Sequence, residues 1–290
     1  MKSQWDCIRQ NVGTWHGSFT KFSPEGEQEK DTPSVLTLEE TKPGETMKLT
    51  LERTPLGEST NTVCKEFSAP GPAPYIYFFE SGAFSQGSSQ WAAFSQFGAE
   101  MSIKVEDRRA RFVIMYESNS EGTSKIKYVT LIRETQTDGT QFDEPALSLK
   151  QLSGKWIGSI QVLHASMDPL SEGRSKWQFE NSTLTSQENF GKTEFSLSLS
   201  GEFELDAVQK PVRLKGELSY QLMPLPNGTY CLLPQTIRKG EAFRIEVGWL
   251  RDSGARSSNR NVSRTRLIRY YDSQGVWMHT GLIEDRQATR

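Results

Sequence analysis

Apolar and polar residues alternate with a period of two along most of this chain. Met47, Leu49 and Leu51 alternate with polar neighbours, and residues 195–199 repeat the pattern. Such alternation is typical of β-strands that bury one face and expose the other. Helical periodicity is confined to short stretches around 3–11 and 144–152. The sequence therefore predicts an all-β protein with antiparallel strands.

Similar stretches are separated by turn signals such as Lys42-Pro43-Gly44 and Pro226-Asn227-Gly228. They predict strands at 13–22, 34–41, 61–67, 75–80, 100–106, 110–117, 126–135, 154–163, 174–181, 212–222, 228–233, 243–250, 262–271 and 276–284. Many short strands without helical crossovers favour a sandwich or a barrel.

One short motif occurs twice, as Gly13-Thr14-Trp15-His16-Gly17-Ser18 and as Gly154-Lys155-Trp156-Ile157-Gly158-Ser159. The two tryptophans are offset by 141 positions (156 − 15), and a Leu-Ile-Arg echo ending at Arg133 and Arg269 is offset by 136 (269 − 133). Two echoes at nearly the same period indicate two homologous halves. We therefore predict an N-terminal domain over 1–138 and a C-terminal domain over 139–290.

The twin motif resembles the start of lipocalin and related calycin barrels, in which a Gly-x-Trp follows a short N-terminal helix. In those barrels the indole closes one end and packs on a basic side chain from a late strand. The resemblance implies two tandem lipocalin-like (calycin) antiparallel barrels, closed by Trp15 with Arg133 and by Trp156 with Arg269. Stacking of guanidinium on indole supplies the attraction. The alternative for these four residues is direct contact with a ligand.

Composition narrows the partners and the compartment. The 290 residues carry 34 basic and 36 acidic side chains, so no global field recruits nucleic acid. Cys7, Cys64 and Cys231 lack the spacing of a metal or redox site, which favours a reducing compartment. The N-terminus has no apolar signal region, and no run approaches the roughly 18 apolar residues of a membrane span. The sequence thus predicts a cytoplasmic protein, or a stromal one in a plastid.

Aromatic residues between positions 75 and 97 are the densest candidates for a ligand-binding wall. The candidates are Tyr75, Tyr77, Phe79, Phe84, Trp91 and Phe94. Strands that are apolar on both faces suit a barrel wall that lines an interior and is covered outside. The alternative is a barrel core that these side chains fill completely.

Six arginines crowd the segment 251–269, and Arg264 and Arg266 are our candidates for contact with an anionic ligand. Guanidinium groups bind carboxylates bidentately, so a cluster at a barrel mouth would suit tetrapyrrole propionates or a fatty-acid head group. Nucleic acid is another anionic partner. Serine and glycine neighbours instead favour a solvated loop over Arg251–Arg260.

The sequence carries no Gly-x-Ser-x-Gly elbow, P-loop or dinucleotide fingerprint, and its three histidines are too few for a His-rich metal site. Acid and base roles stay unassigned, and the expectation leans away from an enzyme. His279 is a further ligand-binding candidate, predicted to share a strand face with Trp277 and Gly281. Small haem-binding barrels related to fatty-acid-binding proteins begin with the same motif and use a late-strand histidine as axial ligand. A surface or core histidine is the alternative.

Longer segments carry a closer likeness. Residues 78–87, 97–100 and 107–113 resemble the N-terminal part of a family of cyanobacteria and plant plastids known only as a domain of unknown function. Residues 243–250, 266–272 and 275–277 are similar to its C-terminal part. The resemblance implies a two-domain calycin-like fold and no established activity. Phycobilin lyases are also calycins, which makes a tetrapyrrole a candidate ligand by analogy.

These observations favour a non-catalytic binding protein for a small hydrophobic or tetrapyrrole-like ligand held in a β-barrel. The alternatives are a bilin chromophore lyase or chaperone, a haem-binding barrel, and a structural protein whose barrels are filled. The sequence requires no cofactor and leaves the oligomeric state open.

Overall fold

The computed structural model describes residues 2–71, 76–137, 147–165, 171–202, 210–252 and 262–288. Two short helices, α1 (Gln4–Arg9) and α2 (Leu149–Leu152), each lie just before a Gly-x-Trp motif. Otherwise the regular structure is antiparallel strand, arranged in two ten-stranded, barrel-like sheets. The prediction of an all-β fold with two tandem barrels is confirmed.

The first barrel is formed by strands from the first half of the chain. These strands are β1 (Gly13–Phe22), β2 (Gln28–Lys42), β3 (Thr46–Arg53), β4 (Asn61–Ser68), β5 (Tyr77–Phe78), β6 (Phe84–Gly87), β7 (Phe97–Val105), β8 (Arg108–Ser118) and β9 (Ser124–Thr135). Their order across the sheet is β4-β3-β2-β1-β9-β8-β7-β6-β5. Strand β1 pairs with β2 on one side and with β9 on the other, so the first and last strands of the set are neighbours.

Helix α1 contacts both edge strands of this sheet. The amide side chain of Gln4 donates to the carbonyl oxygen of Phe78 on β5 and accepts from its N–H, at 2.9 and 2.8 Å. Trp5 packs edge-on against Phe67 of β4, with ring centroids 6.2 Å apart, and donates its indole N–H to Glu40. Among the described residues β4 and β5 do not pair with each other. The helix therefore covers the edges that main-chain pairing leaves separate.

The second barrel is closed by hydrogen bonds. Its strands are β10 (Gly154–His164), β11 (Ser171–Glu180), β12 (Thr183–Phe190), β13 (Thr193–Ser200), β14 (Val212–Leu214), β15 (Tyr220–Pro224), β16 (Thr229–Pro234), β18 (Phe243–Asp252), β19 (Val262–Tyr271) and β20 (Trp277–Gln287). They follow the order β13-β12-β11-β10-β20-β19-β18-β16-β15-β14. Ser200 and Lys215 exchange two main-chain bonds of 2.8 and 2.7 Å, which join the two edges. The remaining strand, β17 (Thr236–Ile237), pairs with Ser124 and Lys125 at the start of β9.

The chain divides into two compact units. The first contains Met1–Ser88, Gly98–Met115 and Lys127–Phe142, and the second contains Ser89–Phe97, Tyr116–Ile126 and Asp143–Arg290. No helix in the described part of the chain is long and apolar enough to cross a membrane.

Two early segments belong to the core of the second unit. The Phe97 ring lies edge-on to the rings of Tyr116, Phe243 and Tyr271, at centroid distances of 5.7, 5.6 and 5.2 Å. The Tyr116 hydroxyl donates to the carbonyl oxygen of Pro234 at 2.9 Å. These contacts bury aromatic side chains of β18 and β19.

Candidate functional site

Both Gly-x-Trp motifs anchor an indole in a barrel interior. Trp15 and Trp156 are fully buried, and each donates its indole N–H to the carbonyl oxygen of the fourth residue before it. The acceptors are Asn11 at 2.9 Å and Leu152 at 3.0 Å. Each bond ties the first strand of a barrel to the segment that precedes it.

The second glycine of each motif permits close contact between strands. A Cβ atom on Gly17 would lie 1.9 Å from the carbonyl oxygen of Arg133, and one on Gly158 would lie 2.4 Å from that of Glu284. A side chain at either position would overlap the main chain of the neighbouring strand. Barrel closure therefore explains why the motif has tryptophan at positions 15 and 156 and glycine at positions 17 and 158.

The cation stacked on Trp15 is Arg109, where the sequence predicted Arg133. The Arg109 guanidinium carbon lies 4.3 Å from the indole centroid. Arg133 pairs with Ser18 across β1 and β9, and alternation places Ser18 on the opposite strand face from Trp15. Arg133 accordingly donates to the hydroxyl of Thr20, which shares the face of Ser18.

The predicted partner of Trp156 in the second barrel is also wrong. Arg264, not Arg269, stacks on Trp156 at 4.5 Å, and it also lies 4.1 Å from the ring of Trp177. Five positions separate Arg264 from Arg269, so the two side chains project from opposite faces of β19. Arg269 lies over Trp277, at 4.4 Å.

A buried network of charges occupies the first barrel next to Trp15. Glu134 accepts from Arg109 at 2.7 Å and from Arg111 at 2.9 Å, and Arg111 also donates to Glu100 at 2.8 Å. Arg109 also donates to the side-chain oxygen of Asn11, at 3.0 Å. Burial alone would raise the pKa of Glu134, but the two guanidinium groups hold it below its ordinary value.

A larger network fills the middle of the second barrel. It joins three arginines and three carboxylates, all buried: Arg244, Arg264, Arg266, Glu188, Glu246 and Asp285. Arg266 lies 2.6 Å from Asp285 and 3.3 Å from Glu246. Burial would raise the pKa of Asp285, but Arg266 and Arg264 lower it below the ordinary value.

The predicted ligand clamp, Arg264 and Arg266, therefore lies inside this network. Both side chains are fully buried, and both donate to the same oxygen of Asp285. Their charges are compensated by protein carboxylates, so this arrangement leaves neither guanidinium to a ligand carboxylate. The part of the segment that holds Arg256 and Arg260 lies outside the described residues.

A β-bulge sets the orientation of His279. Tyr271 pairs with Trp277 and Tyr270 pairs with His279, because the register shifts between Tyr270 and Tyr271. Trp277 and His279 thus lie on opposite faces, contrary to the prediction from simple alternation. Gly281, which is paired with Ile268, shares the face of His279 as predicted.

His279 is enclosed by aromatic rings. Its centroid lies 4.8 Å from that of Tyr270, 5.0 Å from that of Phe195 and 5.2 Å from that of Phe190, and His164 lies 5.8 Å away. The side chain is only 6% exposed. Burial, together with the nearby His164, lowers the pKa of His279 to about 4, which keeps the ring neutral at pH 7.

The predicted aromatic wall is divided among several environments. Tyr77, Phe79 and Phe84 are buried in the first unit, and Phe84 packs on Phe78 with centroids 5.1 Å apart. Trp91 is buried in the second unit, where its indole donates to the hydroxyl of Ser124. Phe94 is 72% exposed. Tyr75 lies outside the described residues.

A cavity of about 340 Å³ opens at the mouth of the first barrel, and we call it the barrel-mouth cavity. It is lined by Phe19, Lys21, Lys30, Thr32, Arg53, Pro55, Asn61 and Thr130. Phe19 and Lys21 lie on the strand face of Trp15, which is the interior face. This cavity was not predicted from the sequence, although Lys21 and Lys30 are close in sequence and flank a turn at 23–27.

A second cavity, of about 450 Å³, lies on the outside of the second barrel, and we call it the outer groove. Ile157 and Lys176 are cross-strand neighbours there, as are Lys155 and Gln178. Ile157 is 56% exposed and points away from the barrel interior, where its neighbour Trp156 lies. The lining also includes Thr185, Gln187, Ser196, Leu197, Ser198 and Ala288.

Two family models match adjoining parts of this chain. Residues 1–139 match the N-terminal domain of DUF3598, a domain of unknown function. Residues 143–288 match the C-terminal domain of biogenesis factor required for ATP synthase 1. A crystal structure of a DUF3598 protein of unknown function from Nostoc punctiforme is 30% identical, covers 99% of this chain and 100% of that chain, and has a TM-score of 0.80. This chain belongs to the DUF3598 family.

The predicted resemblance to a family known only as a domain of unknown function is thereby confirmed. The finer relationship to lipocalins and phycobilin lyases stays a prediction. Among curated proteins, none matches the chain. Within the described ranges, no three His, Cys, Asp or Glu side chains are grouped as a metal site would require.

Proposed function

We propose that this DUF3598 protein is a non-catalytic assembly factor that binds a protein subunit in the outer groove of its second barrel. The observation that carries the proposal is the match of residues 143–288 to the C-terminal domain of a factor named for the biogenesis of ATP synthase. The proposed partner is accordingly a subunit of that enzyme.

The interior of the second barrel is filled by side chains, which favours binding of a partner on the outer surface. Its middle is filled by the salt-bridge network around Arg266, and one end is filled by the rings around His279. A partner would therefore contact the outer surface, where the outer groove lies.

The chemistry of the outer groove indicates the kind of segment it accepts. Its lining contains two cations, Lys155 and Lys176, and no carboxylate, and Ile157 offers exposed apolar area between them. An acidic segment with an apolar side chain complements such a surface.

Direct binding tests the proposal. Purified subunits of ATP synthase from the same organism are each titrated against the immobilised protein by biolayer interferometry. We expect one subunit to bind, and we expect the Ile157→Asp variant to weaken that binding at least about tenfold, because it places a carboxylate where the partner carries its own.

Leu56→Asp is the matched control, since Leu56 is 96% exposed and lies in the first unit. This variant is expected to bind like the original protein. The proposal is refuted if no subunit binds, or if Ile157→Asp binds the subunit as tightly as the original protein does.

A second candidate function is the binding of a small hydrophobic or tetrapyrrole-like ligand in the first barrel, as the sequence suggests. The barrel-mouth cavity supports it, since its volume falls at the lower end of the roughly 300–1,000 Å³ typical of ligand pockets. A tetrapyrrole would be detected by a visible absorption band after bilin or haem is added. Transfer of bilin to an acceptor cysteine of an antenna protein would favour a lyase instead.

We place either activity in a reducing compartment, the cytoplasm or a plastid stroma. The free thiols of Cys7, Cys64 and Cys231 support this placement.

A further inference from the structure

The barrel-mouth cavity carries positive charge that the protein does not compensate. Its lining holds three cations and no carboxylate. Lys21 forms an ion pair with Glu29 outside the lining, at 2.7 Å. Among the described residues, Lys30 and Arg53 have no ion-pair partner. Two positive charges at one mouth therefore stay available to an anion.

Arg53 contacts an aromatic ring, but one of its guanidinium nitrogens has no hydrogen-bond partner in the described structure. Its guanidinium lies 5.8 Å from the ring centroid of Phe19, while its Nε is buried and lacks a hydrogen-bond partner in the described structure. Its cross-strand neighbour Ser34 is 5% exposed, and the Ser34 hydroxyl also lacks a partner. Buried polar atoms are nearly always paired, so these two unpaired atoms on neighbouring strands can each donate a hydrogen bond to an acceptor from a ligand.

The cavity has a floor that limits the size of its ligand. The Arg111 guanidinium carbon lies 5.7 Å from the ring centroid of Phe19, and Arg111 donates to Glu134 and Glu100. This network fills the barrel beyond Phe19. A ligand at the mouth must therefore be compact and place its charge beside Arg53 and Lys30.

We propose that the barrel-mouth cavity binds a phosphate group through Arg53 and Lys30, with Thr32 and Thr130 available as hydroxyl donors. A guanidinium fork and an ammonium group suit a tetrahedral oxyanion with several acceptor atoms. The phosphate belongs to a free phosphorylated molecule or to a lipid head group. This inference does not depend on the proposed assembly function, because it concerns a different barrel. It shares its cavity with the second candidate function and assigns that cavity a compact phosphate ligand in place of a tetrapyrrole.

Isothermal titration with inorganic phosphate tests the site directly. We expect saturable binding, and we expect Arg53→Gln and Lys30→Gln to weaken it at least about tenfold each. Lys48→Gln is the control, because Lys48 lies on the same strand as Arg53 but on the opposite face. Lys30 is exposed, so its loss tests the site even if Arg53→Gln is unstable.

Vesicles with and without phosphatidic acid form the second arm. Binding to inorganic phosphate supports a free ligand, and binding only to phosphatidic acid vesicles supports a lipid head group. The proposal is overturned if neither probe binds, or if Arg53→Gln, Lys30→Gln and Lys48→Gln all retain the original affinity. Phosphate binding is expected to be the same in the Ile157→Asp variant, whether or not that variant binds a subunit. The two proposals can therefore fail independently.

Discussion

Enclosure makes His279 a source of pH-dependent stability. An unfolded histidine titrates near pH 6.5, whereas burial and His164 lower the folded pKa of His279 to about 4. Between these values the unfolded chain binds more protons, so acidification favours unfolding. The contribution of His279 is fully present above about pH 6.5 and is lost progressively as the pH falls to about 4.

We predict that His279→Phe removes this dependence. Phenylalanine suits the site, which is bordered by Phe190, Phe195 and Tyr270. Between pH 7 and pH 4, the free energy of unfolding of the original protein should fall by about 3 kcal/mol more than that of the variant. Urea unfolding at several pH values measures the difference.

His16→Gln controls for the loss of one histidine, and it should keep the pH dependence of the original protein. Parallel pH profiles for the original protein and His279→Phe would contradict the assignment.

The arginines that occupy equivalent positions in the two barrels differ from those that the sequence echo suggested. An Arg-x-Arg pair occurs on each penultimate strand, at 109–111 and 264–266, with an offset of 155 (264 − 109). Each pair meets a carboxylate on the last strand, Glu134 or Asp285. The sequence echo through Arg133 and Arg269 instead linked β9 with β19, which are not equivalent strands. Only the register of strand pairing shows that the Arg-x-Arg pairs, and not Arg133 and Arg269, are equivalent.

Strand β1 depends on a glycine at its closest approach to β9. The space that a Gly17 Cβ would need is occupied by the carbonyl oxygen of Arg133, at 1.9 Å. Main-chain atoms cannot rotate away as a side chain can, so relief would require separation of two paired strands.

We predict that Gly17→Ala lowers the free energy of unfolding by about 3 kcal/mol, the upper part of the range for overpacking. Gly71→Ala serves as control, because its Cβ would meet only the Ile8 side chain at an ordinary 3.5 Å. Urea midpoints of the two variants test the expectation. A stable Gly17→Ala protein would show that β1 and β9 can separate at low cost.

At the level of elements, the sequence predicted strands best where the inward side chains are apolar. The predicted strand 13–22 coincides with β1. Strand β12 went unpredicted, because Ser186 and Glu188 point inward to the buried network and obscure the alternation. The predicted strand 212–222 is divided into β14 and β15. The bulge near Tyr271 had no sequence signal, which explains the wrong face for Trp277.

The whole molecule repeats one plan, in which a Trp–Arg stack and an Arg–carboxylate network occupy each barrel. Its candidate sites lie at a mouth and on an outer face, where sequence patterns that mark buried strands give little signal. The predicted division at 138–139 differs from the compact units, because the first unit ends at Phe142 and Ser89–Phe97 and Tyr116–Ile126 belong to the second unit.

We predict that a fragment of residues 139–290 folds poorly by itself. It would lack Phe97 and Tyr116, which contact Phe243, Tyr271 and Pro234 in the intact chain. Exposed aromatic surface should cause strong binding of a hydrophobic dye and association in sedimentation experiments. The intact chain is the control, and a monomeric fragment with cooperative unfolding and weak dye binding would contradict the prediction.

The position of Phe97 also sets an order of events on the ribosome. Phe97 is made 174 residues before Tyr271 (271 − 97), one of its edge-on aromatic partners. At synthesis rates of about 5–20 residues per second, roughly 10–30 s separate the two. During most of that interval Phe97, the first residue of β7, lacks its aromatic partners on β18 and β19. Nascent chains of this protein should therefore need protection by a chaperone just when the first barrel has already emerged.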